Sequence, residues 1–308
     1  MTESRADTSP SPRGTHFGPV LLLILGILGI STASLWARES SAGGAELAFR
    51  RLILTVPILW AIARLRGEER QRFGRGAPWV AISGLSLAVH FSAYFASLAR
   101  LDSVAVTLVF VSLHPVLLFG IEGVLFRMRG ERSLRTVQLI GVLLAVGGSI
   151  FLAADEWGRE EGSLVGIGYG ALSALGMVGY LLAGRRANRH LSATTYARRS
   201  YAVAALFLAV GLIVSGGELL PASGVEWRIA LLLALFPTLL GHTPMNAALR
   251  HLPATVVSTA FLGEVVGASL LVWVFLGEVP PSGFWLGGTA IAAGVFLVSV
   301  TARLRRRS

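Results

Sequence analysis

The sequence predicts an all-α integral membrane protein, with ten transmembrane helices arranged as two inverted five-helix repeats. Three observations carry that expectation. The 308 residues are 54% hydrophobic and only 14% charged, and the charges cluster between long apolar runs, as in polytopic membrane proteins. Ten of those runs have spanning length, and the second half of the chain restates the first.

In order, the runs fall at 18–36, 46–63, 78–99, 103–125 and 134–152, then at 163–183, 196–215, 228–249, 253–276 and 283–301. About 20 apolar residues suffice to cross a bilayer core as a helix. The first run follows Arg5 and Arg13 and has the look of a signal segment. It is read as a span because removing it would leave nine and break the repeat. Residues 1–17 read as a disordered cytoplasmic tail, 18–152 and 163–301 as the two repeats, and 302–308 as a basic cytoplasmic tail.

Charge sets the orientation. All 27 basic residues are Arg. With both termini inside, the cytoplasmic loops and tails hold 21 of them, 16 of these in "RLRGEERQRFGR" (64–75), "RMRGERSLR" (127–135), "RRANR" (185–189) and "RLRRR" (303–307). The opposite side has only Arg38, Arg50, Arg51, Arg100, Arg159 and Arg228, together with the acidic stretch "DEWGREE" at 155–161. This is a positive-inside distribution. The net charge of +10 therefore faces anionic lipid and not nucleic acid.

The repeat shows when 101–152 is set beside 252–298. Each copy has a short loop, a long span, a Gly-Glu pair (Gly130–Glu131, Gly277–Glu278) and a span with glycines seven apart (Gly141 and Gly148, Gly287 and Gly294). Five spans per copy is an odd number, so the copies must lie oppositely in the membrane. Secondary transporters use that architecture for alternating access, with the substrate site between the halves.

These Gly-Glu and glycine pairs, with the run "GHTPMNAALRHLPATVVSTAFLGE" (241–264), resemble the EamA-type transporters of the drug/metabolite transporter superfamily. The resemblance covers about 18–301. It implies a bacterial inner-membrane carrier with ten spans, many members exporting amino acids or other metabolites. It also implies a central cavity lined chiefly by spans one, three, four, six, eight and nine. The family often has Pro after the mid-span Glu of span nine, where this chain has Val265; Pro115 is the counterpart in span four. The coupling Glu that related small multidrug transporters carry in span one has no equivalent between Gly18 and Trp36.

An ionisable group at mid-membrane costs at least ~2.5–3.5 kcal/mol, so each one is a functional candidate. Glu264 is the clearest, with Ala260, Gly267 and Ala268 on its helix face. It is either a proton carrier or counter-charge for an amine, or a structural Glu paired across helices. His114, before Pro115, falls near the repeat-equivalent position and is either a cavity group or a helix-to-helix hydrogen bond. Two polar stripes run at helical spacing: Ser83, Ser86, His90, Tyr94 and Ser97 in span three, and Thr238, His242 and Asn246 in span eight. Neither can face lipid, and a shared wet cavity is the preferred reading.

Trp36 is a candidate cavity aromatic or an interface Trp. Span six offers Tyr169, Ser173 and Tyr180, with glycines suited to packing. Arg50 and Arg51 lie just inside span two, where snorkelling to the outer interface is favoured over binding a substrate carboxylate. The resemblance aligns Arg51 with a family Arg. Glu122 is expected to pair locally with Arg127 and Arg129.

With no Cys, disulfides, thiolate catalysis and Cys-based metal sites are excluded, and no cofactor or metal is expected. There is no Walker A motif, no His-Glu-x-x-His and no Gly-x-Ser-x-Gly. The expected function is export of a small metabolite such as an amino acid, with protons as possible coupling ions, by a monomer or homodimer among lipids. A membrane-embedded enzyme and a lipid flippase are the competing readings.

Overall fold

In hydrocarbon, a backbone must satisfy its own hydrogen bonds, and every long regular element among the described residues is a helix. The computed structural model describes residues 18–68, 74–128, 136–157, 164–277, 279–280 and 282–307. The expected tail 1–17, the Gly130–Glu131 pair, Glu278, Arg129 and Arg159 lie outside them.

The helices are α1 (Gly18–Ile30), α2 (Ala33–Ala37), α3 (Gly44–Leu65), α4 (Ala77–Leu98), α5 (Val104–Val111), α6 (His114–Met128) and α7 (Thr136–Trp157). There follow α8 (Leu164–Ala187), α9 (Ala193–Ser215), α10 (Gly224–Leu233), a π-helical segment (Ala234–His242), α11 (Thr243–Ala248), α12 (Ala254–Phe261), α13 (Gly263–Leu276) and α14 (Phe284–Arg307). The basic end thus continues the last helix.

Nine helical stretches among the described residues are long and apolar enough to cross a membrane, and this is a multi-pass membrane protein. The expected run 46–63 falls in α3. That helix is as long as its neighbours at 22 residues, but Glu46, Arg50, Arg51 and Arg64 keep it out of the apolar class. Outward-facing Leu28, Leu206, Val214, Phe275, Trp285 and Phe296 are exposed, a surface suited to acyl chains.

At the centre, α4 packs against α3, α8 and α9, while α1 packs against the π-helical segment and α11. α6 lies on α12, and α13 on α5. α7 and α14 pack along each other through the glycines noted in the sequence. A Cβ on Gly148 would sit 2.7 Å from Gly287 O, and one on Gly141 would sit 3.0 Å from Gly294 O, so the two helices run antiparallel.

Four helical paths are interrupted, each by a local chemistry. Between α1 and α2, Ser31 Oγ donates to Ile27 O (2.7 Å) and Thr32 Oγ1 to Gly29 O (2.8 Å), taking up loosened carbonyls. Between α5 and α6, Pro115 cannot donate, and bonds one residue tighter than helical close the turn (Leu113 N to Phe110 O, 3.3 Å; Val116 N to Leu113 O, 3.2 Å). Between α12 and α13, Leu262 N bonds Thr259 O and Val265 N bonds Leu262 O, both at 3.1 Å. Span nine is therefore interrupted even with Val265 where the family has Pro. The fourth interruption is the π-helical segment itself, which contains Pro237.

The α7–α14 seam yields a prediction. Gly287→Val should destabilise the protein by about 1–3 kcal/mol, the usual cost of overpacking, seen as a lower thermal midpoint in detergent. Gly147→Ala, whose Cβ would meet nothing within 4 Å, should leave the midpoint unchanged.

Candidate functional site

The interruptions surround one internal cavity. Ile30 and Ala33 reach it from the α1–α2 turn, Ser112 and His114 from the α5–α6 turn, and Phe261 and Glu264 from either side of the α12–α13 turn. Arg51, His90, Phe91, Tyr94, Val111, Met177 and His242 complete the wall. It offers about 20 Å³ to the centre of a water molecule, room for one water, which needs roughly 10–15 Å³. This is a narrow cavity. All six spans implied by the family resemblance contribute, and α3 adds Arg51.

Arg51 is 1% exposed, which corrects the snorkelling expectation. Its guanidinium lies 4.1 Å above the Phe91 ring and 5.7 Å from Phe95, a desolvated cation–π arrangement. Nε donates to Thr238 Oγ1 at 2.7 Å. Pro237 makes that acceptor available: it has no N–H for Leu233 O, and the Thr238 hydroxyl donates there instead (2.7 Å), which leaves its lone pairs for the arginine. Nη2 is buried with no hydrogen-bond partner among the described residues.

Arg50 is also buried and meets a cluster of carboxylates instead. It lies 3.6–3.7 Å from Glu46, Glu218 and Glu226 and donates to the carbonyls of Glu218 (3.2 Å) and Leu220 (2.9 Å). Glu226 also accepts from Ser40 Oγ at 2.7 Å and Ser41 N at 3.0 Å. Followed from hairpin to hairpin, the chain puts this cluster at one end of the bundle and Glu122 at the other. There Glu122 pairs with Arg185 at 2.9 Å and accepts from Thr255 Oγ1. The expected local partners Arg127 and Arg129 have side chains outside the described residues; among the described ones the buried carboxylate meets α8 and α12.

Glu264 is partly buried, and it lines the cavity. The charge of Arg51 and the hydroxyl of Tyr94 are its main electrostatic neighbours. The small residues beside it serve close helix approach: a Cβ on Gly263 would meet Ile27, and one on Gly267 would meet Ser31. His114 Nδ1 lies 2.6 Å from Ser258 Oγ, so its two candidate roles coexist, a cavity face and a helix-to-helix bond.

The polar stripes divide. His90 lines the cavity, with Nδ1 3.0 Å from Ser173 O and 2.9 Å from Ser173 Oγ. Gly176 allows this approach, since a Cβ there would lie 2.7 Å from His90 N. Tyr94 also lines the cavity and shares a 3.2 Å bond with Ser34 Oγ. Ser83 instead bonds Tyr196 (2.7 Å) and Ser97 bonds Gly166 O (2.8 Å). His242 lies in the cavity wall, 6.1 Å from the His90 ring, with Nδ1 buried and unpartnered among the described residues.

Three expected cavity residues lie elsewhere. Tyr180 OH donates to Asn246 Oδ1 (2.7 Å), and Asn246 Nδ2 donates to Tyr201 OH (3.1 Å). The pair is spent on packing, outside the cavity wall. Trp36 is half-buried against the core and does not line the cavity. Conversely, Ser112, Phe91 and Phe261 were not singled out by the sequence, although Ser112 stands two residues before His114-Pro115, where a helix break was already indicated.

The EamA-like transporter family matches residues 164–300. That match covers the second half of the chain, which is therefore similar to this family. Proteins named threonine/homoserine exporter RhtA are similar along most of its length. That of Escherichia coli K12 is 27% identical over 287 residues, 90% of each chain, and that of Salmonella typhimurium LT2 is 27% identical over 272 residues, 84% of each. A solved crystal structure superposes with a TM-score of 0.74 at 20% identity, covering 94% of this chain and 99% of its own. That likeness speaks for the fold alone. Among the described residues no His, Asp or Glu cluster suits a metal ion.

Thr238 holds the key bond of the site. Thr238→Val removes both the acceptor for Arg51 and the donor to Leu233 O. It should cost about 1–3 kcal/mol, as for buried polar groups left unpaired, and be read as a lower thermal midpoint of the purified protein.

Proposed function

We propose that the chain is a secondary carrier of the cytoplasmic membrane that exports a small zwitterionic metabolite, an amino acid, by alternating access. The observation that carries this reading is that Arg51, with an unused Nη2, and Glu264 line the same cavity. A carboxylate on Arg51 and an ammonium on Glu264 would satisfy both buried groups at once, and truncated or singly charged compounds would satisfy one. The names of the exporters in Escherichia coli and Salmonella typhimurium support the same substrate class.

The architecture supports the transport cycle. Counting α3 as a span gives ten helices among the described residues, five before and five after positions 158–163. Equivalent helices of the two copies pack in reciprocal fashion: α7 on α14 antiparallel, α3 on α9, α6 on α12 and α5 on α13. Each is a pairing that an inverted repeat predicts. With the termini inside, the Arg50–Glu226 cluster closes the outer end and the Glu122–Arg185–Thr255 cluster the inner end. Opening one cluster at a time exposes the cavity to one side at a time. Glu264 is the proposed site of proton exchange, with His90, His114 and His242 around the same space.

Counterflow in proteoliposomes tests the reading. Amino acids should exchange across the membrane, Arg51→Gln should raise the half-saturation concentration about ten- to a hundredfold for loss of a charged hydrogen bond, and Glu264→Gln should lose the response to a pH gradient. Normal transport by both variants at every pH would remove these residues from the site.

The absence of Cys gives a second test. Ser112→Cys places a single thiol in the cavity. An impermeant maleimide should label it faster from the cytoplasmic side when Glu122→Gln is added, and faster from the outer side when Arg50→Gln is added. Equal labelling in all three backgrounds would argue against two gates.

A further inference from the structure

The end of the bundle that carries Arg185 also gathers cations where α3 ends and α9 begins, two helices that pack along each other. Arg66, just past α3, is exposed and donates from Nη1 to Thr194 Oγ1 in the first turn of α9 (3.1 Å). Arg198 stands one turn further along α9, on the same face as Thr194. Helical side chains lean toward the N-terminus of their helix, so Arg198 leans back toward Thr194 and Arg66. Arg199 is half-buried. Helical spacing puts it in line with the exposed Leu206, Val210 and Ile213, on the side of α9 that meets lipid.

Arg198 is the telling member. It is 7% exposed, yet no carboxylate, carbonyl or hydroxyl among the described residues accepts from it. Its guanidinium is not sealed in, unlike that of Arg51. Glu68, the described acid at this junction, is engaged elsewhere: its Oε2 accepts from Ser192 Oγ at 2.6 Å. A largely buried cation with no anion is costly, and an anion from outside the chain would remove that cost. Toward the membrane interior the outer surface turns apolar, with Ile53 and Trp60 exposed on α3 as well as Leu206 and Val210 on α9. Trp60 lies 5.3 Å from the Arg64 guanidinium, the pairing of indole and cation found where headgroups give way to acyl chains.

We infer that the α3–α9 junction binds the phosphate of an anionic phospholipid, held by Arg198, Arg199 and Arg66, with its acyl chains along the apolar face of the two helices. Guanidinium groups present paired donors that match phosphate oxygens. With the termini inside, this end lies at the inner leaflet, where basic pockets between helices recruit such headgroups. A zwitterionic lipid brings an ammonium that three arginines repel, so the site selects net-negative headgroups. The site depends neither on the identity of the cargo nor on the transport cycle.

Thermal unfolding of the detergent-purified protein with added lipid tests this. Phosphatidylglycerol should raise the midpoint saturably, and phosphatidylethanolamine with the same acyl chains should need at least about tenfold more for the same rise. Arg198→Gln should raise the half-saturating concentration of phosphatidylglycerol about tenfold, as for loss of a charged hydrogen bond. Arg189→Gln, which removes an exposed charge at the same end, should leave it within about twofold. If Arg198→Gln does not accumulate, Arg66→Gln, at an exposed position, takes its place with a shift in the same direction. Equal responses to the two lipids, or equal shifts in Arg189→Gln and the site variant, would reduce the effect to general surface charge and overturn the inference. Inorganic phosphate reproducing the rise at the same concentration would overturn it too, since the ligand would then be a free anion.

Discussion

Burial of the Arg51 guanidinium is the constraint around which the rest of the interior is organised. A cation in low dielectric is tolerated only with good hydrogen bonds and polarisable neighbours. Here Phe91 and Phe95 supply the aromatic faces and Thr238 the acceptor. Thr238 accepts from the guanidinium while its hydroxyl donates to the Leu233 carbonyl, which Pro237 leaves without its usual helical donor. The π-helical geometry, the cation and the cavity are therefore one feature. Such π segments occur mostly where a helix does something besides span.

The same economy governs the other interruptions. Each breaks a helix at the cavity, and each repairs its backbone locally, by hydroxyls at Ser31 and Thr32 or by tightened turns at Leu113 and Leu262. The repaired turns place Ser112, His114 and Glu264 at the cavity without unsatisfied carbonyls facing lipid. Close approach elsewhere comes from glycines, at Gly176 against His90 and along the α7–α14 seam.

The apolar spans and the lone Glu264 within one of them were legible in the sequence because they depend on hydropathy and spacing along one chain. The fates of Arg51, Glu122, Tyr180 and Asn246 were not, because they depend on which helix lies opposite. Snorkelling was a fair expectation for an Arg one turn inside a span, and it describes neither neighbour: Arg50 finds three carboxylates, whereas Arg51 is turned a hundred degrees away around the helix and finds Thr238. Similarly, a polar stripe says only that a face avoids lipid. Whether Ser83 meets Tyr196 or a cavity is settled by the neighbour. The interruption at Leu262 was hidden for another reason, since it needs no proline.

The two ends of the bundle differ in how they are held. Arg50 has alternatives: three carboxylates and adjacent carbonyls, so losing one partner leaves others. Glu122 is held by Arg185 and Thr255, and the Arg185 side chain is 31% exposed. A partly exposed partner has water as a ready substitute, which lowers the net worth of the pair. In the proposed cycle the Glu122 end is then the easier one to open from the closed form. With the termini inside, that end faces the cytoplasm, where an exporter must load. Two unequal polar closures, one at each end of the cavity that Arg51 lines, suit the proposed alternation of access.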